Sequence, residues 1–147
     1  MVYKWKINGL HKVEAQMAGE FCEKLRTEGR LTAADLVEAS RPEDAPLHSE
    51  FEWDDSAAAE EWRKQQARVI ISSIVVCDTP SAEPVRAYFK IESAPRYESI
   101  QTIISTPDSY TLLLRQAMSE LAAFQRKYRQ LKELDPVFKT FEQMRIA

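Results

Sequence analysis

The stretch between Tyr110 and Leu131 constrains the fold of this chain more than any other. Apolar residues recur there at alternating spacings of four and three, the period of an a/d seam along a helix. We call this set the seam; it comprises Tyr110, Leu114, Ala117, Leu121, Phe124, Tyr128 and Leu131. Pro107, just upstream, suits the first position of a helix. The pattern predicts a long C-terminal helix, packed either on its own domain or against a second copy, most simply in a dimer.

Helical and extended patterns alternate upstream of the seam, which predicts an α+β protein. Helices are expected over about 12–28 and 33–40, with a third after the capping residues Asp54, Asp55 and Ser56. Its inner stripe is predicted to contain Trp62, Gln66, Val69 and Ile70. The segments "YKWKI", "SSIVVCD" and "VRAYFKIE" read as strands, the last two as a hairpin, and 97–100 as an additional extended piece.

The order helix, helix, helix, hairpin is that of a winged helix. We therefore expect an N-terminal helical, winged-helix-like module with a β-hairpin over residues 1–104. A C-terminal helical oligomerisation segment is expected to follow over 105–147.

Charge is segregated along the chain, although the net charge is only −3. Nine acidic residues and one basic residue lie between Glu38 and Glu61, whereas five basic residues and one acidic residue lie between Arg115 and Lys132. No apolar run approaches the roughly 20 residues of a membrane span, and no signal-peptide pattern is present. We expect a cytoplasmic protein of a bacterial host, without membrane contact.

The stretch "LHSEFEWDDSAAAEEW" is the one place where the sequence suggests chemistry. His48, Glu50 and Glu52 alternate, so in an extended segment they would face the same way and could bind a metal or exchange protons. The structural alternative is favoured, because Phe51 and Trp53 would pin the segment to the core. The sequence contains neither a G-x-S-x-G turn nor a C-x-x-C pair. We expect a non-enzymatic protein with no catalytic residue, metal or cofactor.

The same region also carries a resemblance. Pro46-Leu47-His48, then Phe51 to Asp55, then Gln66-Ala67-Arg68 ahead of a β-branched run, resemble the signature of a family of small uncharacterised phage and prophage proteins. The resemblance covers about 31–76 and implies a viral or mobile-element origin. It implies no activity and therefore no catalytic residue.

Two functions are compatible with these patterns. The first is DNA binding of a regulatory or packaging type, in which the third helix reads duplex DNA. Its predicted contacts are Arg63, Lys64, Gln65 and Arg68. The alternative is a protein-interaction or structural subunit that acts on a host or phage protein through the acidic surface between Glu43 and Glu61 and the C-terminal helices. The position of that acidic surface relative to the basic residues of the third helix discriminates between the two.

Overall fold

The computed structural model describes residues 1–54, 57–92 and 94–146, and these form an α+β protein, as the sequence predicts. The helices are α1 (Ala15–Thr27), α2 (Ala33–Ser40), α3 (Ala57–Ser73), α4 (Ile100–Ser105), α5 (Pro107–Tyr128) and α6 (Asp135–Ile146). The strands are β1 (Val2–Trp5), β2 (Ile74–Cys77), β3 (Val85–Arg86), β4 (Tyr88–Lys90) and β5 (Tyr97–Ser99). The helical N-terminal region, the hairpin sheets and the long C-terminal helix are thus confirmed.

The turn between α1 and α2 follows the local signals in the sequence. Gly29 has φ of 69°, and the N–H of Arg30 donates to the carbonyl of Leu25, so α1 ends in a Schellman motif. The hydroxyl of Thr32 then accepts from the N–H of Asp35 at 3.0 Å and caps α2. The two helices therefore leave and enter the turn at defined angles.

β2 is the central strand of the first sheet. It pairs antiparallel with β1 over four residues and with β3 over only two. The predicted strand over 85–92 is divided at Ala87, whose N–H donates to the carbonyl of Ile74 and whose carbonyl accepts from Ile100. The second half, β4, pairs instead with β5 in a separate sheet. The expected hairpin is therefore short, and the chain changes sheets at Ala87.

The main core lies between α1, α2, α3 and the first sheet. β1 approaches α1 closely, because the ring of Tyr3 lies on Gly19, where a Cβ atom would be 2.1 Å from Tyr3 Cγ. The buried members of this core are Tyr3, Ala18, Cys22, Leu25, Leu31, Leu36, Val37, Leu47, Phe51, Ala67, Ile70, Ile71, Ile74, Val76, Ala87 and Tyr88. None of them belongs to α5 or α6.

The C-terminal helices have contacts of their own. α6 packs on α5 through buried Phe138 and Phe141, with the rings of Phe138 and Phe124 6.3 Å apart. α5 ends at Tyr128, so Leu131 lies in the following turn, and its predicted place on the helix is wrong. No helix in the described ranges is both long enough and apolar enough to cross a membrane. The predicted boundary between residues 104 and 105 falls within α4 and stays a prediction.

Candidate functional site

Arg63, predicted to contact DNA, is buried and only 2% exposed. Its guanidinium donates to the carbonyl oxygens of Glu52 and Asp54, and to the carboxylate of Glu60 at 2.9 Å. It also lies 5.2 Å from the centre of the Trp53 ring. Residues of the acidic surface between Glu43 and Glu61 therefore cover this side chain. The prediction that Arg63 contacts DNA is wrong, because its donors are used inside the chain.

Lys64, Gln65 and Arg68 lie further out on α3. Lys64 Nζ is 3.0 Å from a carboxylate oxygen of Glu61. Arg68 donates to the side-chain oxygen of Gln65 at 3.5 Å. Gln65 and Arg68 are exposed, and Lys64 is partly exposed. The structure places these three on one accessible stretch of helix, and DNA contact through them stays a prediction.

The inward side of α3 differs from the predicted stripe. Ala67, Ile70 and Ile71 are buried beside Arg63, whereas Trp62 is 57% exposed. Arg63 was missed as an inward residue because a guanidinium is rarely buried unless all its donors find acceptors. Trp62 and Val69 are exposed, and with Leu10, His11, Glu50 and neighbouring α3 residues they border an open groove of about 270 Å³.

Glu50 and His11 form a buried pair at this groove. One carboxylate oxygen of Glu50 accepts from the N–H groups of Lys12 and Val13, and the other lies 3.3 Å from His11 Nδ1. The imidazole stacks on Trp5 with ring centres 3.8 Å apart. The pair holds the loop before α1, which explains why this helix begins at Ala15 rather than near Lys12. Sequence reasoning missed it because the partners are 39 positions apart.

His48 and Glu50, which the disfavoured alternative placed side by side at a ligand, have separate partners. His48 Nδ1 donates to the carbonyl of Ser40 at 3.0 Å, and the indole N–H of Trp53 donates to the His48 carbonyl at 2.8 Å. The imidazole and indole rings stack 4.9 Å apart. The predicted anchoring of this stretch by Phe51 and Trp53 is thereby confirmed, whereas the expectation that its carboxylates face water is wrong for Glu50, whose side chain is buried.

The same stretch was also considered for helix capping and for metal binding. The predicted capping by Asp55 and Ser56 lies outside the described residues. Among the residues the structure describes, no three His, Cys, Asp or Glu side chains are grouped so that they could hold a metal.

The other chemically reactive groups lie in the core. Burial raises the pKa of the Cys22 thiol to about 12, and the carboxylate of Glu23 adds to the effect. Burial likewise raises the pKa of Tyr88, whose hydroxyl donates to the carbonyl of Gly19 at 3.3 Å. Both groups are protonated at neutral pH, so neither is an activated nucleophile or base.

The seam is the most extended functional feature of the structure. α5 has 22 residues, and none of them is buried. Tyr110, Leu114, Leu121 and Phe124 are each between 41% and 50% exposed. Large apolar side chains thus form a row along the helix, each with about half of its surface exposed. Contiguous apolar surface of this kind indicates a protein interface.

A groove between α4 and α5 continues the seam at its N-terminal end. Its volume is about 290 Å³, and its walls are almost entirely apolar. Ile103 forms its buried base, while Ile104 on its rim is 61% exposed. Tyr110, Leu114 and Ala117 of the seam form the opposite wall. The apolar surface is therefore wider here than a single helix face.

Comparisons with family models, curated proteins and solved structures found no match to this chain. The resemblance to phage proteins stays a prediction. The candidate interface is defined by the chain's own geometry: an α+β domain that displays an uncovered apolar helix.

Proposed function

We propose that this chain is a non-enzymatic interaction protein that assembles through the seam on α5. The observation that carries the proposal is a helix of 22 residues with no buried residue and a continuous apolar row. A helix exposed on all sides would need only polar residues for solubility. Apolar residues at a/d positions instead suit a helix–helix interface.

The exposed area is large enough to support association. Complete burial of a Leu or Phe side chain contributes about 1.5–3 kcal/mol. Tyr110, Leu114, Leu121, Phe124 and Leu131 are each about half exposed. Covering them would contribute on the order of 4–7 kcal/mol per chain, or twice that for a pair of chains. This exceeds the lower estimates, about 4 kcal/mol, for the entropic cost of association.

Molar mass measured by light scattering tests the proposal. At tens of micromolar we expect at least twice the 16.9 kDa of one chain. Leu121→Glu should shift the mass to that of a monomer, because it places a charge in the middle of the seam. Its helicity and melting should remain those of a folded chain, since Leu121 is 41% exposed within one copy.

Ser119→Glu is the matched control. It adds the same charge two residues away, at an exposed position outside the seam. Its mass should equal that of the unmodified chain. A monomeric unmodified chain at these concentrations would refute self-assembly.

We propose DNA binding of a regulatory or packaging type as a second function. The basic end of α5 favours it: Arg126, Lys127 and Arg129 are exposed and have no ion-pair partner within the described part of the chain. Unpaired cations on one helix suit phosphate contacts. The proposal includes an origin in a phage or mobile element and a location in the cytoplasm of a bacterial host. Action on a host or phage protein belongs to the first proposal, that of an interaction protein.

Fluorescence anisotropy with random duplex DNA over a series of salt concentrations tests this second proposal. Each phosphate contact removed should reduce the slope of log K against log salt by about 1. We compare Arg126→Gln/Arg129→Gln with Lys64→Gln/Arg68→Gln, two double substitutions of equal charge change. If the α5 pair alone lowers the slope, the basic end of α5 is the contact. Absence of binding at low salt would refute DNA binding.

A further inference from the structure

A helix pair can be parallel or antiparallel, and the two orientations bring seam residues of different sizes together. In a parallel pair each residue meets its own copy, so Ala117 would face Ala117 and leave a gap, while Tyr128 would face Tyr128. In an antiparallel pair with its two-fold axis between Leu121 and Phe124, Ala117 meets the partner's Tyr128, and Leu121 meets the partner's Phe124. Small against large is the arrangement that fills an interface to native density.

The two orientations also differ in which charged residues beside the seam come together. Glu120 and Lys127 each directly precede a seam residue and therefore flank the helix contact on one side. In a parallel pair, such a residue faces the position five residues further along the partner, so Glu120 would meet the partner's uncharged Gln125. Lys127 would then have no helical residue opposite it, because α5 ends at Tyr128. In the antiparallel pair, Glu120 and the partner's Lys127 are offset by two residues, about 3 Å along the axis.

Both charged side chains are available for such a pair. Glu120 and Lys127 are exposed, and neither has an ion-pair partner among residues 1–54, 57–92 and 94–146. Glu120 borders a groove that also contains Arg86 and Lys90, without forming a salt bridge to either. Lys127 Nζ lies 5.1 Å from the centre of the Tyr128 ring, which keeps it beside the seam.

The groove between α4 and α5 lies where the antiparallel pair would place the end of the partner's α5. Leu114 and Ala117 form part of its wall. In the antiparallel register, the residue opposite Ala117 is the partner's Tyr128, the last residue of the partner's α5. The uncovered apolar groove at one end of the seam would thus receive the end of the partner's α5, and the two-fold axis repeats this contact at the other end.

We infer that a second copy of this chain covers the seam in an antiparallel orientation, with the two-fold axis between Leu121 and Phe124. The inference rests on the proposed self-assembly and adds its partner, register and orientation. Size, charge and the position of the groove each favour this register independently.

Charge reversal distinguishes the two orientations by whether it weakens the dimer. In the antiparallel pair, Lys127→Glu opposes Glu120 twice, and we expect the dimer Kd to rise on the order of five- to tenfold. Glu120→Lys should have a similar effect. In a parallel pair, neither residue faces an opposite charge, so both substitutions should leave the Kd nearly unchanged. Sedimentation at several concentrations and low salt measures the change.

An equimolar mixture of the two variants provides the internal control. A chain carrying Lys127→Glu and a chain carrying Glu120→Lys regain both opposite-charge pairs in the antiparallel mixed dimer. The Kd of the mixture should return to that of the unmodified chain. Because neither variant alters a seam residue, loss of folding cannot produce this recovery.

Distances between spin labels provide a second readout. A label at Ala123→Cys lies close to the two-fold axis, whereas labels at Arg115→Cys would be separated by about 22 Å along the axis. In a parallel dimer the two sites would give similar distances. The native thiols, Cys22 and Cys77, are buried, and the unmodified chain shows how much label they accept.

The outcomes separate the inference from the function on which it rests. A monomeric unmodified chain refutes the self-assembly and the inference together. A dimer that Leu121→Glu dissociates, but whose Kd neither Lys127→Glu nor Glu120→Lys raises, keeps the self-assembly and overturns the antiparallel orientation. Equal label distances at the two sites would overturn it as well.

Discussion

Gly19→Ala should destabilise the fold, although it improves the intrinsic helix propensity of α1. Gly19 lies within the helix, where alanine is favoured over glycine by about 0.8–1 kcal/mol. The added methyl group would lie 2.1 Å from Cγ and 2.4 Å from both Cδ atoms of Tyr3. Normal contacts between carbon atoms are about 3.5–4.0 Å. The ring must therefore retreat by more than an ångström.

Tyr3 has little freedom to make that shift. Its backbone is paired with Val76 in the first sheet, its N–H donates to the side chain of Gln16 at 3.0 Å, and its side chain is buried. Overpacking costs about 1–3 kcal/mol, and complete loss of a buried aromatic contact about 3–5 kcal/mol. After subtracting the propensity gain, we expect a net loss of about 2–4 kcal/mol. This corresponds to a decrease in Tm of about 5–15 °C.

Denaturant unfolding of four chains measures the effect: the unmodified chain, Gly19→Ala, Tyr3→Ala and the double variant. Without the Tyr3 ring, the new methyl group has space, and only the helix propensity remains. Gly19→Ala should therefore stabilise the Tyr3→Ala chain by about 1 kcal/mol. The sign of the substitution reverses between the two backgrounds. Equal destabilisation in both would show that the contact with Tyr3 is not its cause.

The remaining predictions concern the acidic segment and the core. Trp53→Ala should lower the unfolding midpoint by the equivalent of about 3 kcal/mol or more. Glu52→Gln should change the midpoint little, because only backbone atoms of Glu52 are engaged. Similar effects of the two substitutions would contradict the anchoring role of the indole. Arg63→Gln should destabilise strongly, since it leaves the carbonyls of Glu52 and Asp54 without their donor and Glu60 with only its longer contact to Arg41. The hydrogen bond from Arg63 lowers the pKa of Glu60. This pair therefore stabilises the fold at any pH above the ordinary glutamate pKa. Its contribution is lost as the pH falls through the lowered pKa. Glu60→Gln should reduce that acid dependence in a pH titration of stability. Cys22 should resist thiol reagents at pH 8 in the folded chain, because its pKa is raised to about 12; rapid native-state labelling at that residue, identified by peptide mapping, would contradict its burial.

The elements that the sequence predicted well are those whose signals are local. Gly29, Thr32 and Pro107 each act on the backbone within a few residues, through a positive φ, a capping hydroxyl and a preset φ. The corresponding helix ends lie where these residues predict them. Short-range chemistry is sufficient there, because no distant contact competes with it.

The elements that could not be predicted depend on distant partners. Arg63 is buried because two carbonyls and a carboxylate converge on it, which its own helical pattern does not reveal. Glu50 was counted in the acidic surface between Glu43 and Glu61, yet its carboxylate fixes the segment before α1. The division of the second hairpin strand at Ala87 likewise depends on Ile74 and Ile100. Each outcome requires knowledge of which segments meet.

The seam depends on a local signal for its helix and on distant contacts for its packing. Its spacing is local and therefore legible in the sequence, but two arrangements were left open, packing on the chain's own core or on another copy. Within the described residues the first does not occur: Leu121 and Phe124 remain 41% and 45% exposed although α6 packs beside them. α4 flanks one end of the seam and α6 the other, so the chain's own contacts position α5 and cover its apolar residues only in part. A face on a helix that is already formed loses little conformational freedom on binding, which reduces the cost of association. That preorganisation is why we place the function of this protein at the seam rather than at the acidic segment, whose aromatic and charged groups are already partnered within the fold.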